Sequence, residues 1–434
     1  MSERSIISKV GGCLMILLVG TALPCLAQTD GLYGSVVKEI RVIGARYTKE
    51  HIITRELASQ VGQPYLEENV AKDLQRLSRL PFLNSVSIQP LNEDDAVVLL
   101  IDVVEVFPYL PTVSIELSDE NGVSVGPGFK SVNLFGSGIS FSGSARFGGA
   151  TNISAVLDNP WFAGGHLSYR FEVFRRDRAN KLDDYKENAY ELNLRLGSYL
   201  GENGRLATRL SYMSLESDTA GITLSDDDHD NLLTLGLSIG YDTRDNYVAP
   251  RRGWWTELEV SKTGLLAGNG DFWSLLFDVR KYVPLGARYS LSLFSLTTLT
   301  TGKVGRDIPV YLDYHVGGTN SVRGWELDAR SGKNQVLGTM EWSYSLGDLG
   351  LERLLPTSNA EFRIAVFGDL GIAWNAPGEF DRDQFIGGGG VGVRMISPLL
   401  KVVRLDFALG GTGAEISFHV GYPAKQDAQR LRVR

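Results

Sequence analysis

Cysteine is almost missing: the 434-residue chain has two, Cys13 and Cys25, both within its first 27 residues. With that segment removed, no thiol remains for a disulfide, a nucleophile or a thiolate metal site. Histidine is scarce too, and His51, His166, His229, His315 and His419 show no metal-ligand spacing. Excess positive charge is absent: the net charge is -8, which argues against the electrostatic footprint of a nucleic-acid binder. No later stretch approaches the roughly 18 uninterrupted apolar residues of a spanning helix. If the chain crosses a membrane, it does so as a closed barrel.

What is present is a globular composition, 43% hydrophobic and 22% charged, with 49 glycines and 10% aromatics. That combination points to many turns and many strands. The first 27 residues read as a secretory signal, with Arg4 and Lys9 in a basic lead, an apolar run from Val10 to Leu23, and cleavage after Cys25-Leu26-Ala27. Cys25 as a lipidated first residue is the competing reading, and Ala22-Leu23-Pro24 is a poor small-residue lead-in for it.

Residues 34–107 carry a β-α-α-β-β order. Val36 to Ile43 is strand-like, 48–59 read as a helix with Thr48 as N-cap, and Gly62 and Pro64 break it. A second helix runs from about Leu66 to Arg79 on the spacing Val70, Leu74, Leu77, and strands Phe82 to Gln89 and Ala96 to Val104 flank a turn at 92–95. Beyond Pro108 and Pro111 the period becomes two. Tyr190, Leu192, Leu194 and Leu196 alternate with Glu191, Asn193 and Arg195, and Val403, Leu405, Phe407 and Leu409 repeat the pattern. A soluble sandwich alternates as well. The export signal, strand length, aromatic strand ends and unequal loops favour a transmembrane barrel over 111–422, with about sixteen antiparallel strands. Short turns at 133–138, 201–204 and 284–287 are expected on the periplasmic side, and longer connections at 176–188, 216–230, 300–334 and 373–385 outside. Residues 423–434 form a polar tail.

Certain residues carry a resemblance. These are the β-α-α-β-β unit with Leu80-Pro81-Phe82-Leu83-Asn84-Ser85-Val86, the turn Asn133-Leu134-Phe135-Gly136, Asp158-Asn159-Pro160-Trp161, Asp242-Thr243-Arg244-Asp245-Asn246, and Val322-Arg323-Gly324-Trp325. Together they resemble the bacterial surface antigen superfamily of BamA- and TamA-type outer-membrane barrels, which insert or translocate polypeptides. The first unit looks like one POTRA domain. The resemblance implies that the loop over 300–334 folds into the lumen, where Arg323 pairs with an aspartate on the thirteenth strand. Asp369 is the candidate, and periodicity agrees: Phe362, Ile364 and Val366 occupy one face, leaving Arg363, Ala365 and Asp369 on the other. Arginine suits the role because its guanidinium forks onto a carboxylate and keeps its proton. Gly324 permits a tight turn, and Trp325 can wedge against the wall with its indole N–H free to donate. Without the resemblance, Arg323 reads as a surface loop residue whose ion pair contributes little.

Two departures stand out. The family more often has Phe or Tyr where Trp325 stands, and the strand holding Ile416, Phe418, Gly421 and Tyr422 is followed by polar residues rather than ending the chain. Gly421 is either a flexible point of the seam between first and last strands or a simple bulge. Three other signals are set aside. Ser124 in Gly122-Val123-Ser124-Val125-Gly126 lacks the helix of a nucleophile elbow. Gly387 to Gly392 leads into a strand rather than a helix N-terminus. Asp226-Asp227-Asp228-His229-Asp230 reads as a solvated loop rather than a cation site.

The expected function is therefore assisted insertion, assembly or translocation of polypeptides. It would use POTRA docking, a lateral seam between 111–118 and 413–422, and the infolded loop, without enzymatic chemistry, cofactor or metal. Unfolded outer-membrane or secreted polypeptides, accessory lipoproteins and outer-membrane lipid are the implied partners. The alternative is a passive pore or surface scaffold on the same fold. By that resemblance, a single POTRA domain suggests an accessory or lineage-specific member rather than a housekeeping one.

Overall fold

The computed structural model describes residues 32–421 except 79, 95, 119, 164–166, 183, 246–248, 349–360 and 398–400. The export segment, the polar tail, Tyr422 and His166 therefore lie outside the described residues.

The N-terminal unit is a three-stranded sheet under two helices: β1 (Val37–Ile43), α1 (Glu50–Thr54), α2 (Glu67–Ser78), β2 (Leu83–Glu93) and β3 (Ala96–Glu105). The order is β1-β3-β2, with β1 parallel and β2 antiparallel to β3. Central β3 is the most apolar of the three because it is flanked on both edges and covered by helices. Val97, Val98, Leu99, Ile101 and Val103 are buried along it.

Both helices depart from the sequence expectation. The first is only five residues long, and Thr48 does not cap it; Lys49 occupies that position with no side-chain cap. It stops early because Asp73 of α2 takes the amides of Ala58 and Ser59 at 2.5 and 3.2 Å, holding the following chain in a non-helical turn. In α2 the buried positions are Asp73 and Leu77, while Leu74 is turned outward. An acid sits where periodicity favours an apolar side chain, because two buried amides need an acceptor.

The barrel follows at once. Its strands are β4 (Tyr109–Ser118), β5 (Gly122–Leu134), β6 (Ile139–Gly148), β7 (Thr151–Ala163), β8 (Leu167–Asn180), β9 (Tyr185–Leu200), β10 (Gly204–Ser217) and β11 (His229–Asp242). They continue as β12 (Gly253–Gly268), β13 (Phe272–Pro284), β14 (Tyr289–Thr300), β17 (Asn334–Asp348), β18 (Glu361–Trp374), β19 (Ile386–Ser397), β20 (Lys401–Gly410) and β21 (Gly413–Gly421). A short hairpin, β15 (Tyr314–Val316) with β16 (Arg330–Gly332), lies in the loop between β14 and β17. The sixteen long strands form one antiparallel meander from β4 to β21. Apolar side chains such as Leu194, Phe277 and Val366 face outward, while Arg209, Glu257, Asp278 and Arg280 are buried against the interior. This is the membrane-barrel arrangement of lipid face and polar lumen.

The connection expected over 176–188 is shorter than its polarity suggested. Strands β8 and β9 stay paired to Asn180 and Tyr185, and Glu187 accepts from Arg176 and Arg178 at 2.6 Å each. Those charges belong to the lumen face, not to a loop.

The POTRA unit is fastened to the β5–β6 turn. Asn133 Nδ2 donates to Thr48 Oγ1 at 2.8 Å, Lys49 N–H donates to the Gly136 carbonyl at 3.0 Å, and Val132 of β5 joins the POTRA core. Gly136, at φ +67°, has the Tyr47 carbonyl where a Cβ would stand. Farther round the rim, Arg55 donates to the Trp161 carbonyl at 3.1 Å, and its guanidinium carbon lies 5.1 Å from the indole centre. Between the POTRA helices and this end of the lumen is a cavity of about 1010 Å³.

Candidate functional site

Residues 301–333 leave the rim after β14 and fold inward. A 3-10 turn at Val310–Leu312 precedes the β15–β16 hairpin. Tyr311 donates to Asp230 Oδ2 at 3.0 Å, which ties the loop to the start of β11. Burial raises the Tyr311 hydroxyl well above its usual pKa, and the neighbouring Asp230 adds to the effect. At the hairpin, His315 Nδ1 stands 2.9 Å from Asp328 Oδ1. Val316 and Val322 pack with Leu296, Leu337, Ala373 and Ile386 of the wall. This apolar contact supplies the non-directional part of the seat, at about 25 cal/mol per Å² of apolar surface removed from water.

The directional part is Arg323, whose exposure is 0%. Its Nε and Nη2 donate to Asp369 Oδ2 and Oδ1 at 2.7 and 2.9 Å, and its backbone N–H reaches the same carboxylate at 3.2 Å. Thr339 donates to Asp369 Oδ1 at 2.9 Å. The remaining guanidinium nitrogen, Nη1, donates to Asp406 Oδ2 at 2.8 Å. Asp406 in turn accepts from Arg394 at 2.5 Å, and Arg394 reaches Glu341 at 2.7 Å. The Phe367 ring lies under the Arg323 guanidinium at 3.1 Å, in cation–π geometry. The chain of charges crosses β17, β18, β19 and β20, and Arg404 of β20 is buried on the same lumen face. Removing one member of such a set leaves a buried charge uncompensated, which costs about 3–5 kcal/mol.

Glycine makes the close approach possible. Gly324 is at φ +85°, and a Cβ there would meet Leu409 C and Gly410 N at 2.5 Å. On β19, a Cβ at Gly388 would run into the Arg323 carbonyl. Trp325 lies across Gly410 and Gly411 and donates from its indole to the Gly387 carbonyl at 2.8 Å. The glycine run 387–390, which offers no phosphate cradle, is the smooth floor on which the loop tip rests.

The structure thus brings Val322, Arg323, Gly324, Trp325 and Asp369 together. The seam residues stand apart from them. Ile416 points to the lipid side and Gly421 lies in register opposite Val402; the Phe418 side chain and Tyr422 lie outside the described set. Among the described residues no ladder joins β21 to β4, although the two strands are neighbours. Exposure marks the same edge. Ile416 is 75% exposed and Val113 of β4 68%, whereas Phe407 on interior strand β20 is 44%.

Sequence reasoning missed Asp406, Arg394, Glu341 and Thr339. The signal was available for the first two: Val403, Leu405 and Phe407 alternate with Asp406 on β20, and Val391, Val393 and Met395 alternate with Arg394 on β19, which leaves both charges on the lumen face. Ser124, set aside as a nucleophile, is buried in β5, where it donates to the Ala150 carbonyl at 3.0 Å and accepts from the Ala150 amide at 2.9 Å.

Comparison with known proteins adds the following. The model of the Omp85 superfamily domain matches residues 133–422, and a surface antigen variable number repeat, the POTRA model, matches 35–106. The outer membrane protein assembly factor BamA of Nitratidesulfovibrio vulgaris is 22% identical over 403 residues, covering 89% of this chain and 48% of that protein. The chain spans about half the length of the curated relatives it matches. Among solved structures, Haemophilus ducreyi BamA lacking POTRA domains 1–3 superposes with a TM-score of 0.62 at 18% identity, covering 88% of this chain and 83% of that one. CdiB from Escherichia coli gives 0.61 at 14% identity, over 90% and 75%. The superfamily match takes in well over half of the sequence, so the protein belongs to the Omp85 superfamily, as an outer-membrane barrel with its POTRA domain in the periplasm.

Proposed function

We propose that the protein assists the insertion, assembly or translocation of polypeptides at the outer membrane, with its first and last strands as the working edge. The observation that carries this reading is the β4–β21 boundary, where adjacent strands share no ladder among the described residues. An unpaired strand edge offers a row of N–H and C=O groups that a client strand can take up. Each main-chain bond so formed contributes about 0.5–1.5 kcal/mol net and tolerates many sequences. In the POTRA sheet β1 and β2 are both edges, which suits them to hold an extended segment beforehand. The names of the related proteins, an assembly factor among them, point the same way. Unfolded outer-membrane or secreted polypeptides are the proposed clients, with lipid and accessory lipoproteins as surroundings. Enzymatic chemistry, cofactors and metals have no part in this reading.

The infolded loop argues against a passive pore, since its hairpin and the Arg323 cluster occupy the lumen. The full chain in liposomes should speed the folding of a urea-unfolded outer-membrane protein relative to empty liposomes, and should not conduct steadily. Steady conductance without acceleration would reject the proposal in favour of the pore.

A further inference from the structure

We infer that Glu415 is the positioning residue through which the infolded loop holds the last strand at the seam. The inference rests on the assembly reading above but concerns a different contact from the arginine cluster. Glu415 is the third residue of β21, on the lumen side with Ser417, while Ile416 faces lipid. Its carboxylate accepts the Gly324 N–H at 2.7 Å and the Thr319 hydroxyl at 3.1 Å, so it grips the loop tip at two points. Gly324 also returns a bond to the same hairpin. Its carbonyl accepts from the Thr412 hydroxyl at 3.0 Å and the Thr412 N–H at 3.3 Å.

Thus the residue next to Arg323 donates to β21 and accepts from the β20–β21 turn, in contact close enough to forbid a Cβ. On its strand edges, β21 is paired to β20 alone among the described residues. A strand with one ladder frays from its free side unless something else holds it. The loop tip is that second hold, and Glu415 is where it acts at the external end of the strand. Arg323 fixes the tip to β18 and β20, and Glu415 passes that position on to β21. Opening the seam at its external end then requires Glu415 to let go of the loop.

The test is hydrogen exchange followed by mass spectrometry on the full chain in lipid, comparing wild type, Glu415→Ala, Glu415→Gln, Arg323→Ala and the double variant Glu415→Ala/Arg323→Ala. In Glu415→Ala, exchange in 413–421 should rise about tenfold or more while exchange in the hairpin residues 314–316 and 330–332, reporting loop seating, stays at the wild-type value. Glu415→Gln keeps one acceptor oxygen and should fall between the two. The double variant should match Arg323→Ala in 413–421, because Glu415 acts only through a seated loop. Unchanged exchange in both Glu415 variants, or independent multiplication of the two effects, would overturn the inference. Client folding is read separately. Loosened β21 with no acceleration by any form would sink the assembly reading and leave the Glu415 contact standing. Wild-type acceleration with unaltered β21 in the variants would do the reverse.

Discussion

Arg323 concentrates what can be asked at the scale of one residue. Three of its guanidinium N–H groups are matched to carboxylates on two strands and its face to a ring, so a lysine cannot replace it: one ammonium cannot fork onto Asp369 and reach Asp406 together. Arg323→Ala should lower the stability of the folded barrel by about 3–5 kcal/mol, read as a shift in the urea midpoint, and Arg323→Lys should recover less than half of that. A lysine variant with the wild-type midpoint would remove the bidentate account. Gly388→Ala probes the floor under the loop. Its methyl group would stand where the Arg323 carbonyl lies, so hydrogen exchange in 314–332 should rise toward that of an unseated loop although no charge has changed; unaltered exchange would contradict the close packing. The pair Arg323 and Asp369 was legible because a resemblance named the loop and period two named the face. Asp406, Arg394 and Glu341 were not singled out, because inward charges on a barrel are common and only three-dimensional registration tells a bridge from a bystander.

Among elements, the strands were the most legible part and the short helices the least. Lipid on one side and water on the other impose alternation along every strand, which survives in sequence as period two. The POTRA helices obey weaker local rules, and α1 yields to a tertiary acceptor, Asp73, that sequence spacing does not reveal. Loop boundaries fail for a related reason. Arg176, Arg178 and Glu187 look like a polar connection but pair inside the lumen. The POTRA–barrel joint invites a pH test. Burial works to raise the Glu105 carboxyl, but Thr48 and the amides of Thr48, Tyr47 and Arg46 together outweigh it and hold it below the ordinary carboxylate range. A carboxyl depressed in the folded state stabilises fully above its unfolded pKa, and that contribution disappears as pH falls through the folded value. The urea midpoint of wild type should exceed that of Glu105→Gln near neutrality, and the gap should close in acid. A gap independent of pH would show that the carboxylate charge is not what secures residues 46–48.

For the whole molecule, the distribution of holds is uneven in a way that fits the proposed function. Fourteen inner strands are laddered on both sides, the POTRA unit is fastened near the first strands by Asn133 and Arg55, and the loop braces β17 to β21 from within. The β4–β21 boundary is left as the edge without a ladder among the described residues. If assembly proceeds there, joining the two strands covalently should stop it without disturbing the rest. Because Cys13 and Cys25 are the chain's only cysteines, a panel of cysteine pairs along 109–118 and 413–421, on a chain lacking the first 27 residues, gives an unambiguous disulfide. The decisive measurement is the folding rate of a urea-unfolded outer-membrane protein in liposomes carrying the cross-linked barrel, before and after a reductant. The account predicts that the cross-linked form performs no better than empty liposomes and that reduction restores the acceleration. Full acceleration with the seam closed would contradict it.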